Sequence, residues 1–433
     1  MRHLSTAVMV AAIVGIVAGL ASATTITRTV PSTKFPTIQA AVDDVKLSEV
    51  GEKTIKVLGS YNGPGAVIDK PAIKIVGNAG ATINDGPLSH PGLGLRAGFL
   101  FLDTHQGNST TIQGFTFDCN DQLVFPVFSR GADYISVISN VMNGPVQGIT
   151  NWNGIGWYIK NNKIGSVRAL SGGGIGIFIG SFDSGRPALF NLALGNSVTG
   201  SPVGNGGYST PAIALMSDVT SNLSGSVMWN VILSNYCQSA SESGIGIELT
   251  DLNPWQPTVS NNVVIYNNIG ECAWGIALYR CSDNIIGYGL PLSQLLNYLP
   301  SGSGLQAKLQ GKYADSVLLG NHVSDSRWDG VWAGSPGGRP ASGNQVSANT
   351  VKKSGRDGIR MDTASENNQI IGNIVNYSGS GCDLHDLGIH NTWSGNSGTK
   401  CPIIPKRGRK NRAQPPMLSD EDLEPVVSVC PYQ

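Results

Sequence analysis

The chain has few charged side chains and no excess of either sign. Asp, Glu, Lys and Arg make up 13% of its 433 residues, and 29 acidic residues balance 29 basic ones. The charged share is about half that of an ordinary soluble domain. A protein that binds nucleic acid or an anionic membrane through its overall field needs an excess of positive charge. The composition therefore gives no support for either partner, and we expect no nucleic acid.

Long apolar runs are also scarce. The run Ala7–Leu20 follows the basic residues Arg2 and His3 and precedes the small-residue stretch Ala21–Ala23. Such a run is too short for a membrane span and has the form of a secretory signal with its cleavage site. We therefore expect residues 1–23 to be a signal peptide. The mature chain would have no transmembrane segment and would be secreted and extracellular, or periplasmic in a Gram-negative host.

Several chemical motifs are missing. None of the seven cysteines lies in a Cys-x-x-Cys arrangement, so a zinc site is not expected. The chain has no Gly-x-Ser-x-Gly nucleophile turn, no phosphate-binding loop and no His-Glu-x-x-His element. In an oxidising compartment, Cys272 with Cys281 or Cys382 with Cys401 could form a disulfide, and spacing alone does not choose between them.

What the chain has instead is an asparagine repeat. Three six-residue copies near the C-terminus, starting 24 and then 23 residues apart, have an asparagine at each end: Asn344–Asn349, Asn368–Asn373 and Asn391–Asn396. The template recurs upstream at Asn191–Asn196, Asn230–Asn235 and Asn262–Asn267, and with the second asparagine only at Ile135–Asn140, Gly156–Asn161 and Ser316–Asn321. A period in the low twenties indicates a solenoid, in which each copy stacks on the one before.

The copies contain short alternating apolar runs broken by Gly, Asn and Ser, which is typical of strands and turns. One copy then corresponds to one coil of a parallel β-helix, in which neighbouring coils pair about 4.8 Å apart. We expect the asparagines to adopt left-handed turns and to donate their side-chain amides to the asparagine one coil away. A second repeat, Gly followed by Ile or Val, begins each strand at Gly174, Gly244, Gly275, Gly330 and Gly358.

The repeats define the domain organisation. Residues 24–402 are expected to form one all-β domain, a right-handed parallel β-helix solenoid. Phe35–Val45 has the apolar stripe of a helix and is predicted to cap the first coil, whose strand edges would otherwise be open. Leu290–Leu305 has no repeat and is predicted to be an insertion. Residues 403–433, with separate basic and acidic runs, are predicted to be a flexible tail.

The N-terminal passage carries a family resemblance. Thr37–Val42, Ile55–Tyr61 and Ile73–Gly77 resemble the beginning of the pectin-lyase-like, right-handed parallel β-helix superfamily, and the later repeats are similar to its parallel β-helix repeats. The resemblance spans about residues 30–400. It implies the fold, and it leaves lyases, hydrolases, esterases, epimerases and non-enzymatic surface proteins as possible functions. The Gly-x-x-Asp-Phe element of pectin esterases and the Gly-His-Gly of polygalacturonases are missing.

Aligned on the glycines, the strands place several polar and aromatic residues outside the core. Asp329 and Asp357 fall in one register before a glycine, and Asp383 is expected to extend their column. Stacked carboxylates raise each other's pKa and can act as acid and base or hold a divalent cation, so calcium is a possible cofactor. The predicted catalytic residues are Asp329, Asp357, Arg360 and Asp362, with Arg360 as the clamp for a sugar carboxylate. A turn role for Asp329 and Asp357 is the alternative.

Glu248, Trp274, Tyr279 and Trp332 are predicted to line a polysaccharide groove, where exposed rings would provide flat surfaces for sugars. Packing in the wall is the alternative for the two tryptophans. Asp383-Leu-His-Asp386 partly resembles the Asp-Pro-His-Asp signature of mannuronate epimerases, in which His and Asp take part in proton transfer. This implies catalytic roles for Asp383, His385 and Asp386, although their place in the last coil favours a cap.

The functional expectation is a secreted β-helix protein that binds a polysaccharide or cell-surface glycan. As an enzyme it would be a lyase or epimerase acting on an acidic glycan. The competing expectation is a non-catalytic surface or wall-binding protein that uses the solenoid as a rigid structural element.

Overall fold

The computed structural model describes residues 25–401, except 91–93, 103–106, 169–173, 183–185, 201–209, 218–224, 240–243, 254, 289–319, 336–338 and 380–381. Three long sheets of parallel strands run along the stack, and each coil contributes one strand to each of them in turn. Two short parallel sheets lie between the third sheet and the first. The predicted right-handed parallel β-helix is confirmed.

In the part of the chain that the structure describes, the first sheet has 13 strands. They are Ile26–Val30, Lys53–Val57, Ile73–Gly77, Thr111–Gln113, Ser136–Ile138, Tyr158–Lys160, Leu192–Leu194, Val231–Leu233, Val263–Ile265, Ile285–Ile286, Gln345–Ser347, Gln369–Ile371 and Thr392–Ser394. The second sheet has 11 strands. They are Asn62–Pro64, Thr82–Asp85, Thr116–Asp118, Val141–Asn143, Lys163–Val167, Ser197–Gly200, Tyr236–Gln238, Asn268–Gly270, His322–Ser324, Thr350–Lys352 and Ile374–Asn376.

Among the described residues, the third sheet has 12 strands, of which Leu88–His90 alone pairs antiparallel. The others are Ala66–Ile68, Leu95–Phe101, Leu123–Ser129, Gln147–Trp152, Ile175–Ser181, Thr210–Ser217, Gly244–Asp251, Trp274–Tyr279, Val331–Gly334, Ile359–Met361 and Leu384–Asp386. The two short sheets comprise Ala188–Leu189, Val227–Met228 and Val259–Ser260, and Ala341–Ser342 and Ser365–Glu366.

A short helix, Ile38–Asp43, lies inside the predicted segment Phe35–Val45. The Thr37 hydroxyl accepts a hydrogen bond from the Ala40 amide, which satisfies one of the free amides at the helix start. Ile38, Ala41 and Val42 are buried, so the apolar stripe faces the core. The helix contacts the first strands of the first and third sheets, and its capping role stays a prediction.

The core is one continuous apolar column between the sheets. Alternate residues of each strand point into it, as the two-residue period of a strand requires. On the third sheet these inward residues include Ile247 and Leu249, Ile276 and Leu278, and Val331, and all are fully buried. The outward residues of the same strands form a separate cluster.

Two asparagine ladders run through the turns of the stack. In each ladder the side-chain amide nitrogen donates to the side-chain oxygen of the asparagine one coil further on, at 2.8–3.1 Å. One ladder comprises Asn151, Asn191, Asn230, Asn262, Asn284, Asn344, Asn368 and Asn391. The other comprises Asn140, Asn162, Asn196, Asn235, Asn267, Asn321, Asn349, Asn373 and Asn396. The predicted vertical amide column is confirmed.

Two details of the asparagine prediction are wrong. The left-handed backbone angle belongs to the residue before the ladder asparagine, as with φ 58° at Ser234 before Asn235. The expected ladder member Asn161 occupies such a preceding position, and Asn162 makes the ladder contact. Asn162 also donates its own backbone amide to Asn196 Oδ1 at 2.9 Å.

The Gly-Ile repeat has a steric cause. A Cβ at Gly330 would lie 2.2 Å from Val351 Cγ1 on the second sheet, and one at Gly275 would lie 2.2 Å from Val323 Cγ1. The interior is therefore already filled where each of these strands begins, and a side chain there would overpack it. The residue before the glycine points outward, which places Trp274, Asp329 and Asp357 on the outer surface of the third sheet.

Of the two cysteine pairs left open, Cys382 and Cys401 are joined by a disulfide, whereas Cys272 and Cys281 are buried free thiols. The predicted signal peptide, the insertion Leu290–Leu305 and the tail 403–433 lie outside the described residues, so secretion stays a prediction. Within the described ranges, no helix combines the length and apolar character that crossing a bilayer requires.

The ladders predict a large stability difference between two adjacent asparagines. Asn267 accepts two hydrogen bonds from Asn235 and donates to Ile232 O, Ile265 O and Asn321 Oδ1, all in the interior. Asn267→Ala leaves those buried groups unsatisfied and should lower the free energy of unfolding by about 3 kcal/mol. Urea titration followed by circular dichroism measures this loss.

The matched control is Asn268→Ala, because Asn268 is exposed on the second sheet. Its change should stay within about 0.5 kcal/mol. Equal losses for the two variants would show that the ladder contributes no specific stability.

Candidate active site

The sequence-predicted residues meet on the outer surface of the third sheet. Strand pairing aligns Glu248 with Ala277, Ala277 with Trp332, Trp332 with Arg360, and Arg360 with His385. The residues form one outward column across five coils, with neighbours about 4.8 Å apart. The sheet register thus brings together residues that are 137 positions apart in the sequence.

Two further columns flank this one. The amides of Gly275 and Gly330 donate to Asp329 O and Asp357 O, respectively, so Trp274, Asp329 and Asp357 are stacked. The predicted register of the two aspartates is therefore correct. On the other side, Tyr279 pairs with Gly334, and a Cβ on Gly334 would lie 2.9 Å from Asp362 Cβ.

The aromatic members of the predicted groove are not open platforms. Tyr279 is fully buried, and Trp274 and Trp332 are each 7% exposed. Glu248, the fourth residue predicted to line the groove, is also fully buried, and the Thr250 hydroxyl donates to its Oε1 at 2.6 Å. The three rings belong to the outer hydrophobic cluster of this sheet. The expectation of exposed rings is wrong because neighbouring outward positions on the same sheet are also apolar, and the rings pack among them.

Asp329 is held by an arginine that the sequence analysis did not single out. Arg356 Nε donates to Asp329 Oδ1 at 2.8 Å, and Arg356 Nη2 contacts Oδ2. The Asp357 amide donates to Asp329 Oδ1 at 3.2 Å. Burial raises the pKa of the Asp329 carboxyl, and the Arg356 guanidinium partly offsets that rise. Asp329 therefore makes a bidentate structural ion pair.

Asp357 forms the centre of the site. Its Oδ2 lies 2.8 Å from His385 Nδ1 and accepts from Arg360 Nη1 at 3.1 Å, and its Oδ1 accepts from the Cys382 amide at 2.8 Å. Burial raises the pKa of the Asp357 carboxyl, but the His385 hydrogen bond and the Cys382 amide outweigh it, so the net pKa lies below its ordinary value. The expected mutual rise of the two aspartate pKa values is therefore wrong for Asp357, and the rise at Asp329 comes first from burial, with the Asp357 charge as a lesser cause.

Arg360 links Asp357 to Asp362. Its Nε lies 3.4 Å from Asp362 Oδ2, which also accepts from Trp332 Nε1 at 3.2 Å. Burial raises the pKa of Asp362, but the Arg360 charge outweighs that effect, so the net pKa lies below the usual range. Arg360 is thereby held between two carboxylates, Asp357 and Asp362.

Asp383 and Asp386 have roles different from that of His385. Asp383 accepts hydrogen bonds from the Ser378 and Thr399 amides. The position next to Asp357 in the adjacent coil, which was predicted for Asp383, is occupied by Cys382. Asp386 accepts from Asn391 Nδ2 at 3.0 Å and from Trp393 Nε1 at 2.8 Å. Both acids satisfy polar groups of the last coil, in line with the cap interpretation. The column prediction for Asp383 is wrong because Asp383 aligns with Gly358 instead.

Within the described ranges, no group of three or more His, Cys, Asp or Glu side chains is arranged to hold a metal ion. Asp329 and Asp357 each bond to an arginine. A calcium ion would have to displace these cations.

The fold can be compared with solved structures. The catalytic domain of a GH87 alpha-1,3-glucanase in complex with tetrasaccharides matches 85% of this chain and 68% of its own, with a TM-score of 0.52 and 13% identity. The chain is a parallel β-helix. The periplasmic alginate epimerase AlgG matches with a TM-score of 0.46 and 14% identity over 80% of this chain and 75% of its own.

The A-module of the Azotobacter vinelandii mannuronan C-5 epimerase AlgE4 matches with a TM-score of 0.39 and 12% identity over 85% of this chain and 93% of its own. At such low identities the likeness concerns the fold alone. No protein-family model matches the sequence, and no curated protein matches it.

Two features of the site were missed from the sequence. Arg356 is adjacent to Asp357, but side-chain alternation does not reveal that it reaches back one coil to Asp329. The pairing of His385 with Asp357 could have been found from spacing, because His385 follows Arg360 by 25 residues, close to the repeat length. The sequence analysis placed His385 in a motif with Asp383 and Asp386 instead of pairing it with Asp357.

The lowered pKa of Asp357 predicts a pH-dependent stability. A carboxylate whose folded pKa is depressed adds stability above its unfolded pKa, about 3.9, and this is lost as pH falls through the folded value. Asp357→Asn should therefore lower the free energy of unfolding at pH 7 by about 2 kcal/mol. The difference from the parent should shrink as pH falls below about 4.

Denaturant unfolding between pH 3 and 8 measures the effect, and Asp118→Asn, at an exposed aspartate, is the control. A deficit in Asp357→Asn that stayed constant with pH would mean that the charge of Asp357 does not stabilise the fold.

Proposed function

We propose that this protein is a secreted polysaccharide-active β-helix protein whose site for proton transfer is the Asp357–His385 pair. The reaction class is elimination or epimerisation on a uronic-acid polymer. The observation that carries the proposal is the 2.8 Å contact between a buried carboxylate and a partly exposed imidazole on the outer surface of the third sheet.

The contact determines which imidazole nitrogen can act. An ionised Asp357 accepts the Nδ1 proton, so Nε2 has the lone pair and can take a proton from a substrate. The lowered pKa of Asp357 keeps it ionised at neutral pH, so this tautomer is maintained. His385 is one-fifth exposed while Asp357 is nearly closed off, which suits a base that meets the substrate and a carboxylate that orients it.

Arg360 supplies the second requirement of such chemistry. Removing the proton at C5 of a uronate places negative charge on its carboxylate, and a nearby guanidinium stabilises that charge. In an elimination the C4–O bond then breaks, and the leaving oxygen takes a proton. In an epimerisation C5 receives a proton from the opposite face. Arg360 lies one coil from His385 in the same column, so the two groups can contact one sugar.

The structural neighbours are compatible with this class of substrate. They include a glucanase bound to tetrasaccharides and two alginate-related epimerases, all on the same fold. Fold likeness does not choose the reaction. The choice of a uronan rests on Arg360, and a neutral glucan is the comparison substrate.

A second candidate function is non-catalytic binding, as a surface or wall-associated structural protein. The observation in its favour is the burial of Trp274, Tyr279 and Trp332, since rings that stack on sugars during turnover are usually open. In this case the Asp357–His385 pair would serve to fix the last coil.

Activity on a substrate panel tests the proposal. The full chain is incubated with pectate, alginate and a neutral alpha-1,3-glucan, with and without calcium. Unsaturated products, new reducing ends and uronate stereochemistry are followed. We expect turnover of a uronan, and His385→Gln should reduce it by about 10²- to 10⁴-fold, the usual contribution of a positioned base.

The matched control is His322→Gln, because His322 is exposed on the second sheet, away from this surface. Its turnover should equal that of the parent. Silence over the whole panel with glycan binding retained would support the structural function, and equal turnover in the two histidine variants would remove His385 from the chemistry.

A further inference from the structure

The active-site pair straddles the boundary between two coils. Asp357 directly precedes the strand Ile359–Met361, and His385 belongs to the next strand of the third sheet, Leu384–Asp386. Among the described strands, Leu384–Asp386 is the last in the third sheet. It pairs along its length with Ile359–Met361 on one side, and on its other side an isolated bridge joins Leu384 to Lys400. Terminal segments with such limited pairing are the first to fray.

A disulfide joins the chain just before this last strand to the chain that follows it. The Cys382–Cys401 disulfide joins residues 19 apart, and the strand with His385 lies between them. The Cys401 amide donates to Leu384 O at 3.0 Å, next to His385. The residues from 382 to 401, which we name the terminal coil, are thus closed into a ring on top of the stack.

One of the two half-cystines contacts the site directly. The Cys382 amide donates to Asp357 Oδ1 at 2.8 Å, while His385 Nδ1 contacts Oδ2 of the same carboxylate. Both oxygens of Asp357 are therefore engaged by the terminal coil, one through the backbone at the disulfide and one through the imidazole three residues later.

We propose that the Cys382–Cys401 disulfide is a positioning element for the Asp357–His385 pair, which makes the site sensitive to thiol reductants. With the disulfide intact, the Cys382 amide and the His385 ring stay in register with Asp357. With it reduced, residues 399–401 are held against the strand Leu384–Asp386 by noncovalent contacts alone, and both contacts to Asp357 loosen. Both cysteines are partly exposed, so a reductant can reach the bond. The inference rests on the proposed function only for its effect on turnover.

Reduction consumes two electrons and two protons from a dithiol and yields two thiols, and reoxidation reverses this. The four other described cysteines are free thiols, and three of them are buried. Burial raises the pKa of Cys272 to about 12, which keeps that thiol protonated and slow to exchange. A free thiol has no bond that a reductant could cleave, so among the described cysteines we expect the reductant to act at Cys382–Cys401.

The test compares the full chain with Cys382→Ser/Cys401→Ser by carbon NMR titration of labelled aspartate carboxyls, with the Asp357 signal assigned from Asp357→Asn. The Cys382 amide is one cause of the low pKa of Asp357, so that pKa should rise in the double variant. The internal control is Asp362, whose partners Arg360, Trp332 and Thr363 all lie outside the terminal coil. Its pKa should not change.

The outcomes separate positioning from general stability. A shift of Asp357 alone, with the hydrogen-bonded His385 Nδ1 proton signal lost, supports the proposal. Equal shifts of Asp357 and Asp362, or no shift of either, overturn it. Dithiothreitol should reproduce the shift in the parent and leave the double variant unchanged. If a uronan is turned over, the double variant should lose up to about 100-fold in rate, the cost of a displacement of ~1 Å. Silence on all glycans with the Asp357 shift present would refute the proposed function and leave the positioning role intact.

Discussion

The whole molecule depends on the vertical hydrogen bond between asparagine side chains of successive coils. Asn230, for example, donates from its side-chain Nδ2 to Asn262 Oδ1 one coil further on. The same oxygen also accepts the backbone amide of Asn230. The contact fixes the register of one coil on the next at two corners of the stack. Once register is fixed, every outward position of the third sheet is aligned as well, and the candidate site is a consequence of that alignment.

The site uses the stack in a way that a compact domain cannot. Asp329, Asp357 and Cys382 occupy the same position in three successive coils, and Trp332, Arg360 and His385 occupy the neighbouring position. Neighbouring members of a column are about 4.8 Å apart, so the two aspartates lie beside the column that contains Arg360 and His385. Burial raises the pKa of both Asp357 and Asp362, but His385 and the Cys382 amide lower that of Asp357 and the Arg360 charge lowers that of Asp362, so both net pKa values lie below the ordinary value.

Much of the fold followed from the sequence, because a solenoid repeats its local rules. Asparagine spacing predicted the ladders and Gly-Ile pairs predicted the strand starts of the third sheet. The backbone conformation of the turns was harder to predict from the sequence. The left-handed residue precedes the ladder asparagine, and only the hydrogen-bond geometry reveals this. Burial of Trp274 and Trp332 was missed because it depends on neighbours from other coils. The site pair was divided between two sequence motifs, since nothing local connects Asp357 with His385.

The number of residues between successive ladder asparagines varies, and this bears on how the sequence can evolve. Successive ladder partners are 22 residues apart at Asn140 and Asn162 but 60 apart at Asn284 and Asn344, and both pairs make the same 3.0 Å contact. The contact between successive coils is therefore the same whether the chain that connects them is short or long. Evolution can lengthen a connection between two ladder positions while the spacing of the outer surface of the third sheet stays unchanged.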